Sequence, residues 1–525
     1  MKEYRRISAR WMLTGILLIT GFSSYAMPQR QPTSDSYDHA FIRYWPPKDS
    51  KRLRLAVKDL IDIKGVVTTA GSQYVAETSP PATSDAACLK ISRERNVQIV
   101  GKTNLSEFAV APSGINDFFG TPGSPLSKKS KLIPGGSSCG SAVAVANGLA
   151  DVAFGTDTAG SIRVPAACCG IVGLKTTFGL VPLQGVFPVE PRHLDTVGPM
   201  AKDVDHVVQG MDLLQVGFVA RYRAAVATNS SAKKIRIGRL YLSGTDPKID
   251  KAVDDALRRA QFEVVALDQA FKEKWDQAKK DGTTLAEAGA WISDRKYFDK
   301  LTGVSARSKA IIAWGEFHFA TSYQNALRRQ AEWQQTLDEI FEKVDLIALP
   351  TLQKLPPNMP TVALSELQML NVQNTVPVNF AGNPALAIPI PLANEIVPAT
   401  SLQLVGPRLS EADLLNAGRL VQATSRLCNP PHPHRTSLTA SHPSGPCVRY
   451  GSRTCNNNRT HRSDQRPQSG TRHSSARLLH KGVCQANPVR IHVVYVLQDV
   501  LGRPVNRDVF AWPIDRDQGS PLEPC

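Results

Sequence analysis

Two glycine-rich loops carrying serines lie close together in the chain. The first reads Gly135-Gly136-Ser137-Ser138-Cys139-Gly140-Ser141, and the second reads Gly155-Thr156-Asp157-Thr158-Ala159-Gly160-Ser161-Ile162-Arg163-Val164-Pro165. A lysine, Lys58, stands upstream in Ala56-Val57-Lys58-Asp59-Leu60-Ile61-Asp62. Two hydroxyls and an amine, with no histidine among them, are what acyl transfer by a serine needs when a neutral amine replaces imidazole as the base. Lysine ordinarily titrates near about 10.4, so it serves as a base at neutral pH only where burial or positive neighbours hold it uncharged. Leu55, Ala56, Val57, Leu60 and Ile61 give Lys58 such an apolar setting. The glycines and small polar residues let successive backbone N–H groups approach a developing oxyanion without Cβ atoms in the way.

The elements that must bring these groups together are legible around them. Ala142 to Gly148 reads as a short buried helix stopped by a glycine, and Ala150 to Phe154 as a strand; both draw the two loops towards each other. Further on, Lys234 to Leu240 reads as a strand. Ile249 to Ala260 reads as a helix with Ile249, Val253, Ala256, Leu257 and Ala260 on one face, and Phe262 to Leu267 as a second strand. Residues 268–344 are helical in pattern. The chain of 525 residues is 42% hydrophobic, enough for a large buried core, and the alternation points to a mixed, layered α/β fold.

These loops resemble the amidase signature family, whose members hydrolyse carboxylic amides with a serine, a second serine in a cis peptide, and a lysine. The resemblance runs discontinuously from about Leu55 to about Gln422 and is most specific from Gly135 to Pro182, including Gly170-Ile171-Val172-Gly173-Leu174-Lys175-Thr176. Other matching phrases are Gly101-Lys102-Thr103-Asn104-Leu105-Ser106-Glu107-Phe108-Ala109, Leu194-Asp195-Thr196-Val197-Gly198-Pro199-Met200, Asp345-Leu346-Ile347-Ala348-Leu349-Pro350-Thr351, Asn379-Phe380-Ala381-Gly382-Asn383-Pro384-Ala385 and Leu402-Gln403-Leu404-Val405-Gly406-Pro407. The resemblance implies one core domain with a mixed central β-sheet flanked by helices. It implies an amidohydrolase that cleaves a carboxamide to an acid plus ammonia or an amine. Position by position, it makes Ser161 the nucleophile that forms an acyl-enzyme, Ser137 the proton relay and Lys58 the base. The amides of Thr158, Ala159, Gly160 and Ser161 would form the oxyanion hole. Asp157 and Arg163 are read first as loop supports and second as substrate contacts. No metal or organic cofactor is implied, and the partner is a small-molecule or peptide amide.

Two departures from the family pattern bear on this. Cys139 stands where a glycine is usual, and Ala159 replaces the first glycine of Gly-Gly-Ser. The alanine keeps its N–H and suits the hole if its φ is negative. Three competing readings follow. Gly136-Ser137-Ser138-Cys139-Gly140 satisfies the G-x-S-x-G elbow of an α/β-hydrolase with Ser138 as nucleophile, which would require a histidine such as His193, His206 or His318. The same family motifs occur in the glutaminase component of a tRNA-dependent amidotransferase. A catalytically inactive amidase-like binding protein is the third.

Residues 1–26 place Lys2, Arg5, Arg6 and Arg10 before an apolar run from Trp11 to Phe22 and a Ser24-Tyr25-Ala26 ending, the pattern of a cleavable secretory signal. That reading makes the enzyme periplasmic or secreted, with residues 27–425 as the amidase domain and no membrane span once the signal is removed. From residue 426 to 525 the composition changes. Fourteen Lys and Arg stand there against six Asp and Glu, half of the +16 excess of the whole chain, together with seven of the eleven His. Such a segment buries too little apolar surface to offset its ordering entropy and reads as a disordered, frameshifted or read-through tail. Its aromatic content is too thin for a nucleic-acid arm, and Cys428, His432 and His434 are too loosely spaced for a metal site. Cys88, Cys139, Cys168 and Cys169 read as buried free thiols. Oligomeric state and amide substrate are not encoded in any motif.

Overall fold

The computed structural model describes residues 38–229, 235–359, 366, 369, 373–394 and 396–426. Its strands are β1 (Phe41–Tyr44), β2 (Arg54–Lys58), β3 (Gln98–Thr103), β4 (Val152–Asp157), β5 (Val172–Lys175), β6 (Thr196–Ala201), β7 (Arg236–Arg239), β8 (Glu263–Ala266), β9 (Leu346–Pro350), β10 (Ala385–Pro391) and β11 (Ala399–Val405). They form one eleven-stranded sheet in the order β1-β3-β2-β4-β6-β5-β10-β11-β9-β7-β8. β2 pairs in parallel with both β3 and β4, and β7 with both β8 and β9, while β4 and β6, β5 and β10, and β10 and β11 run antiparallel. This is the mixed α/β sheet that the sequence implies.

The described helices are α1 (Gln73–Thr78), α2 (Lys90–Glu94), α3 (Cys139–Ala146), α4 (Arg163–Cys169), α5 (Val204–Asp212), α6 (Phe218–Thr228), α7 (Pro247–Arg259), α8 (Gln269–Asp294), α9 (Ala306–Thr321), α10 (Tyr323–Phe341), α11 (Val376–Ala381) and α12 (Glu411–Arg426). Local chemistry explains their starts. Asp246 accepts from the Lys248 N–H at 2.9 Å just ahead of Pro247, and Asp268 accepts from the Phe271 N–H at 2.8 Å, so α7 and α8 both begin on a side-chain cap. No described helix is long and apolar enough to cross a membrane.

Alternation along the strands divides the core. Leu55 and Val57 of β2, with Val152 and Phe154 of β4, pack with residues of α5, α7 and α12, whereas Ala56 and Ala153 pack with Ala142, Val143, Ala144 and Ile162. Small residues on the second face let the serine-bearing segments lie close to the sheet. Helices α8 and α10 pack Trp275 and Trp333 into one cluster with Phe380 of α11.

Several element limits shift from expectation. Helix α3 starts three residues ahead of Ala142. Strand β4 reaches Asp157 rather than ending at Phe154, because its antiparallel register with β6 continues to the Asp157–Thr196 pair. Cys88, Cys139, Cys168 and Cys169 are buried free thiols. The signal at residues 1–26 and the tail readings from residue 427 on, with Cys428, His432 and His434, lie outside the described residues.

Candidate active site

Lys58 ends β2, Ser137 sits in the loop that enters α3, and Ser161 lies between β4 and α4. Three backbone bonds knit these segments together. The Ser138 N–H donates to the Ser161 carbonyl at 3.2 Å, the Ser106 N–H to the Ser137 carbonyl at 3.2 Å, and the Asp59 N–H to the Thr103 carbonyl at 3.1 Å. The Gly136–Ser137 peptide is cis.

The Lys58 Nζ lies 2.7 Å from Ser137 Oγ and 2.8 Å from Thr156 Oγ1. Lys58 and Ser137 are fully buried, whereas Ser161 is half-buried and therefore the member of the set within reach of solvent. Burial pushes the Lys58 ammonium down to about 7, against the opposing pull of Cys139, Asp157 and Asp195. The Cys139 thiol is itself pushed up to about 12 by burial, so it stays protonated beside the amine.

Asp157 and Arg163 turn inwards. Asp157 accepts from the N–H groups of Gly160 at 2.8 Å and Ile162 at 3.1 Å, and from Asn379 Nδ2 at 2.8 Å. Arg163 reaches the Gln403 side-chain oxygen at 2.7 Å, the Thr375 carbonyl at 3.0 Å and Asn379 Oδ1 at 2.5 Å. The Gly160 amide, expected to line an oxyanion hole, donates to the Asp157 carboxylate three residues back, which braces the loop ahead of Ser161. Thr158 Oγ1 donates to Asp195 Oδ1 at 2.6 Å, and Asp195 in turn accepts from the Val189 and Glu190 N–H groups. Thr375 Oγ1 donates to the Ala159 carbonyl at 2.6 Å. Hydrogen bonds therefore hold Thr158, Ala159 and Gly160 from three sides.

The chain matches the Amidase family over residues 53–415, a span holding all these groups. It belongs to that family. It is 31% identical over 408 residues to a glutamyl-tRNA(Gln) amidotransferase component of Halobacterium salinarum, an alignment that covers 70% of this chain and 94% of the relative. It is 32% identical over 393 residues to 2-amino-5-chloromuconic acid deaminase of Comamonas testosteroni, covering 71% and 81%. Among solved structures, one described as a vestigial protein complex that reveals the evolutionary origins of an s-triazine catabolic enzyme superposes with a TM-score of 0.65 at 25% identity, covering 75% of this chain and 92% of that one. This Amidase-family hydrolase keeps its sequence-named serines and lysine in one place. Thr156, Asp195, Thr375, Asn379 and Gln403 carry no role legible from sequence, although all but Thr375 lie in phrases that match the family.

Proposed function

We propose that the protein hydrolyses a carboxamide through a Ser161 acyl-enzyme. Ser161 Oγ attacks the carbonyl carbon, its proton passes to Ser137 Oγ, and Ser137 gives its own proton to neutral Lys58. The negative oxygen of the tetrahedral intermediate is met by the N–H groups of Thr158, Ala159 and Ser161. Collapse breaks the C–N bond as the proton returns through Ser137 to the leaving nitrogen, which departs as ammonia or an amine. Water, deprotonated along the same route, then attacks the ester and frees the acid and Ser161. The observation that supports this most is the 2.7 Å contact between a buried Lys58, held near neutrality, and Ser137.

Hydrolysis of a carboxamide library by the full chain, beside Ser161→Ala and Lys58→Met, tests the proposal. Turnover by the parent with loss in both variants supports it, and undiminished turnover in either variant defeats it. A fluorophosphonate probe that labels the parent but not Ser161→Ala separates this reading from an inactive, binding-only protein. The relatives named as amidotransferase components favour one alternative, a glutaminase releasing ammonia from glutamine within a larger assembly. Export, inferred from residues 1–26, argues against it, and cell fractionation decides between a secreted and a cytoplasmic enzyme.

A further inference from the structure

Away from Lys58, Ser137 and Ser161, a cleft of about 410 Å³ opens between the end of α11, helix α10 and the Arg192 and Arg408 side chains. Gly382 lines it, and the backbone carbonyls at and just past the end of α11, which would ordinarily repel an anion, are each taken by a donor. Gln330 Nε2 donates to Phe380 at 2.8 Å, Gln334 Nε2 to Ala381 at 3.1 Å, the Phe178 N–H to Gly382 at 2.9 Å and Lys175 Nζ to Asn383 at 2.7 Å. Arg408 Nη1 adds a bond of 3.3 Å to Ala381. Gly382, at φ +84°, makes room for that guanidinium: a Cβ there would come within 2.7 Å of Arg408 Nη1, so the wall is shaped around the arginine.

The remaining polar capacity of the cleft is mostly cationic. Arg192 is tethered at its Nη2, 3.3 Å from the Tyr323 hydroxyl and 4.0 Å from Glu190 Oε1, with 59% of its side chain exposed. Glu190 itself is buried and occupied by the Tyr323 hydroxyl at 3.0 Å, so it fixes Arg192 without facing the cleft. Asp338 is the opposing charge among the lining residues, which also include His193. A guanidinium presents planar N–H pairs that suit carboxylate and phosphate oxygens, and two of them on one cleft with its carbonyls already satisfied make an anion receptor.

We propose that this cleft binds a small oxyanion, a carboxylate or phosphate group, between Arg192 and Arg408. The experiment is calorimetric titration of the full chain at fixed ionic strength with inorganic phosphate and, separately, with malonate. The same titrations are run on Arg192→Glu and Arg408→Gln. Saturable binding of at least one anion, weakened tenfold or more in each variant, is the expected result, and the preferred anion identifies the ligand's source. No saturable binding of either anion, or binding unchanged in the variants, overturns the proposal. Arg192 is exposed enough for its replacement to leave folding intact, so that variant decides if Arg408→Gln does not fold. The measurement needs no turnover and reads the same in Ser161→Ala, so its failure leaves the acyl-transfer reading untouched.

Discussion

Asp157 and Arg163 form an ion pair of 2.9 Å in which neither side chain has any solvent exposure. Burial alone would raise the Asp157 pKa, but Arg163, Lys175 and Asn379 outweigh it and hold the carboxyl at about 2. Removing the arginine strands a charge that the serine loop is folded around. Arg163→Met is expected to destabilise the fold by about 3–5 kcal/mol, read as a lower urea midpoint, and adding Asp157→Asn should restore part of it because the orphaned charge goes too. A single variant as stable as the parent would show that the pair does not hold the loop. The same pair sets an acid limit. With a folded pKa below the ordinary 3.8, Asp157 contributes stability above that value and loses it as the pH falls towards about 2.

Lys58 gives the opposite signature. Its neutral form is the working one, so kcat/KM is expected to rise with pH through about 7 and level off, and Lys58→Met should remove that limb with a fall of about 10²–10⁴. Stability follows by linkage. Lys58 and Lys175 are both pushed from 10.5 down to about 7, in each case by burial first, so between those values the unfolded chain binds more protons and stability rises with pH. The rise should stop near pH 9.0, where the four thiols Cys88, Cys139, Cys168 and Cys169, all raised by burial from 9.0, ionise in the unfolded chain and together offset the two amines. Urea unfolding at pH 7, 8 and 8.5 measures the slope, and Lys58→Met and Lys175→Met should each flatten it. A flat profile in the parent would mean that the two amines are not held neutral.

The fold is legible wherever a pattern is local. The apolar stripe of Ile249, Val253, Ala256 and Leu257 marks α7 to within two residues at its start and one at its end, the Asp246 cap and Pro247 adding the first turn. The sheet order is not legible, because β5 lies beside β10 and β9 beside β11 through pairings that join residues more than fifty or two hundred positions apart, such as Gln403 with Leu349 and Leu386 with Leu174. The serines and lysine are legible from residue type and motif order. Their support is not: Asn379 and Gln403 meet Arg163 from 216 and 240 residues away, and no periodicity encodes that convergence. The bond from the Gly160 N–H to the Asp157 carboxylate is likewise a product of the folded loop that no motif announces.

The two small residues before Ser161 should respond unequally to exchange. Ala159 is not among the described non-glycine residues with positive φ, so its methyl group costs nothing, and Ala159→Gly should leave kcat/KM within about threefold. Gly160 has φ +133°, and a Cβ there would lie 2.1 Å from Thr375 Oγ1 and 2.8 Å from Thr375 Cβ. Gly160→Ala must move the loop or Thr375, so fluorophosphonate labelling of Ser161 should slow by at least about tenfold, as expected for a displaced catalytic group. Equal labelling rates in the two variants would place this loop outside the reactive centre.

Thr156 tests whether the amine is tuned or merely packed. Its hydroxyl accepts from Lys58 Nζ at 2.8 Å, while Ser137 supplies the other contact at 2.7 Å. Thr156→Val keeps the shape but deletes the acceptor, and a hydrogen bond to a charged group contributes about 1.5–3 kcal/mol, so the ammonium form is the one that suffers. The pKa of Lys58 should fall further, moving the acid limb of kcat/KM below about 7, and at neutral pH turnover should drop roughly tenfold or more as the lysine loses its aim at Ser137. A packing defect would lower activity at every pH with the limb in place. Only a hydroxyl that solvates the charged amine moves the limb, and Thr156→Ser, which keeps the hydroxyl, should return it to its original position.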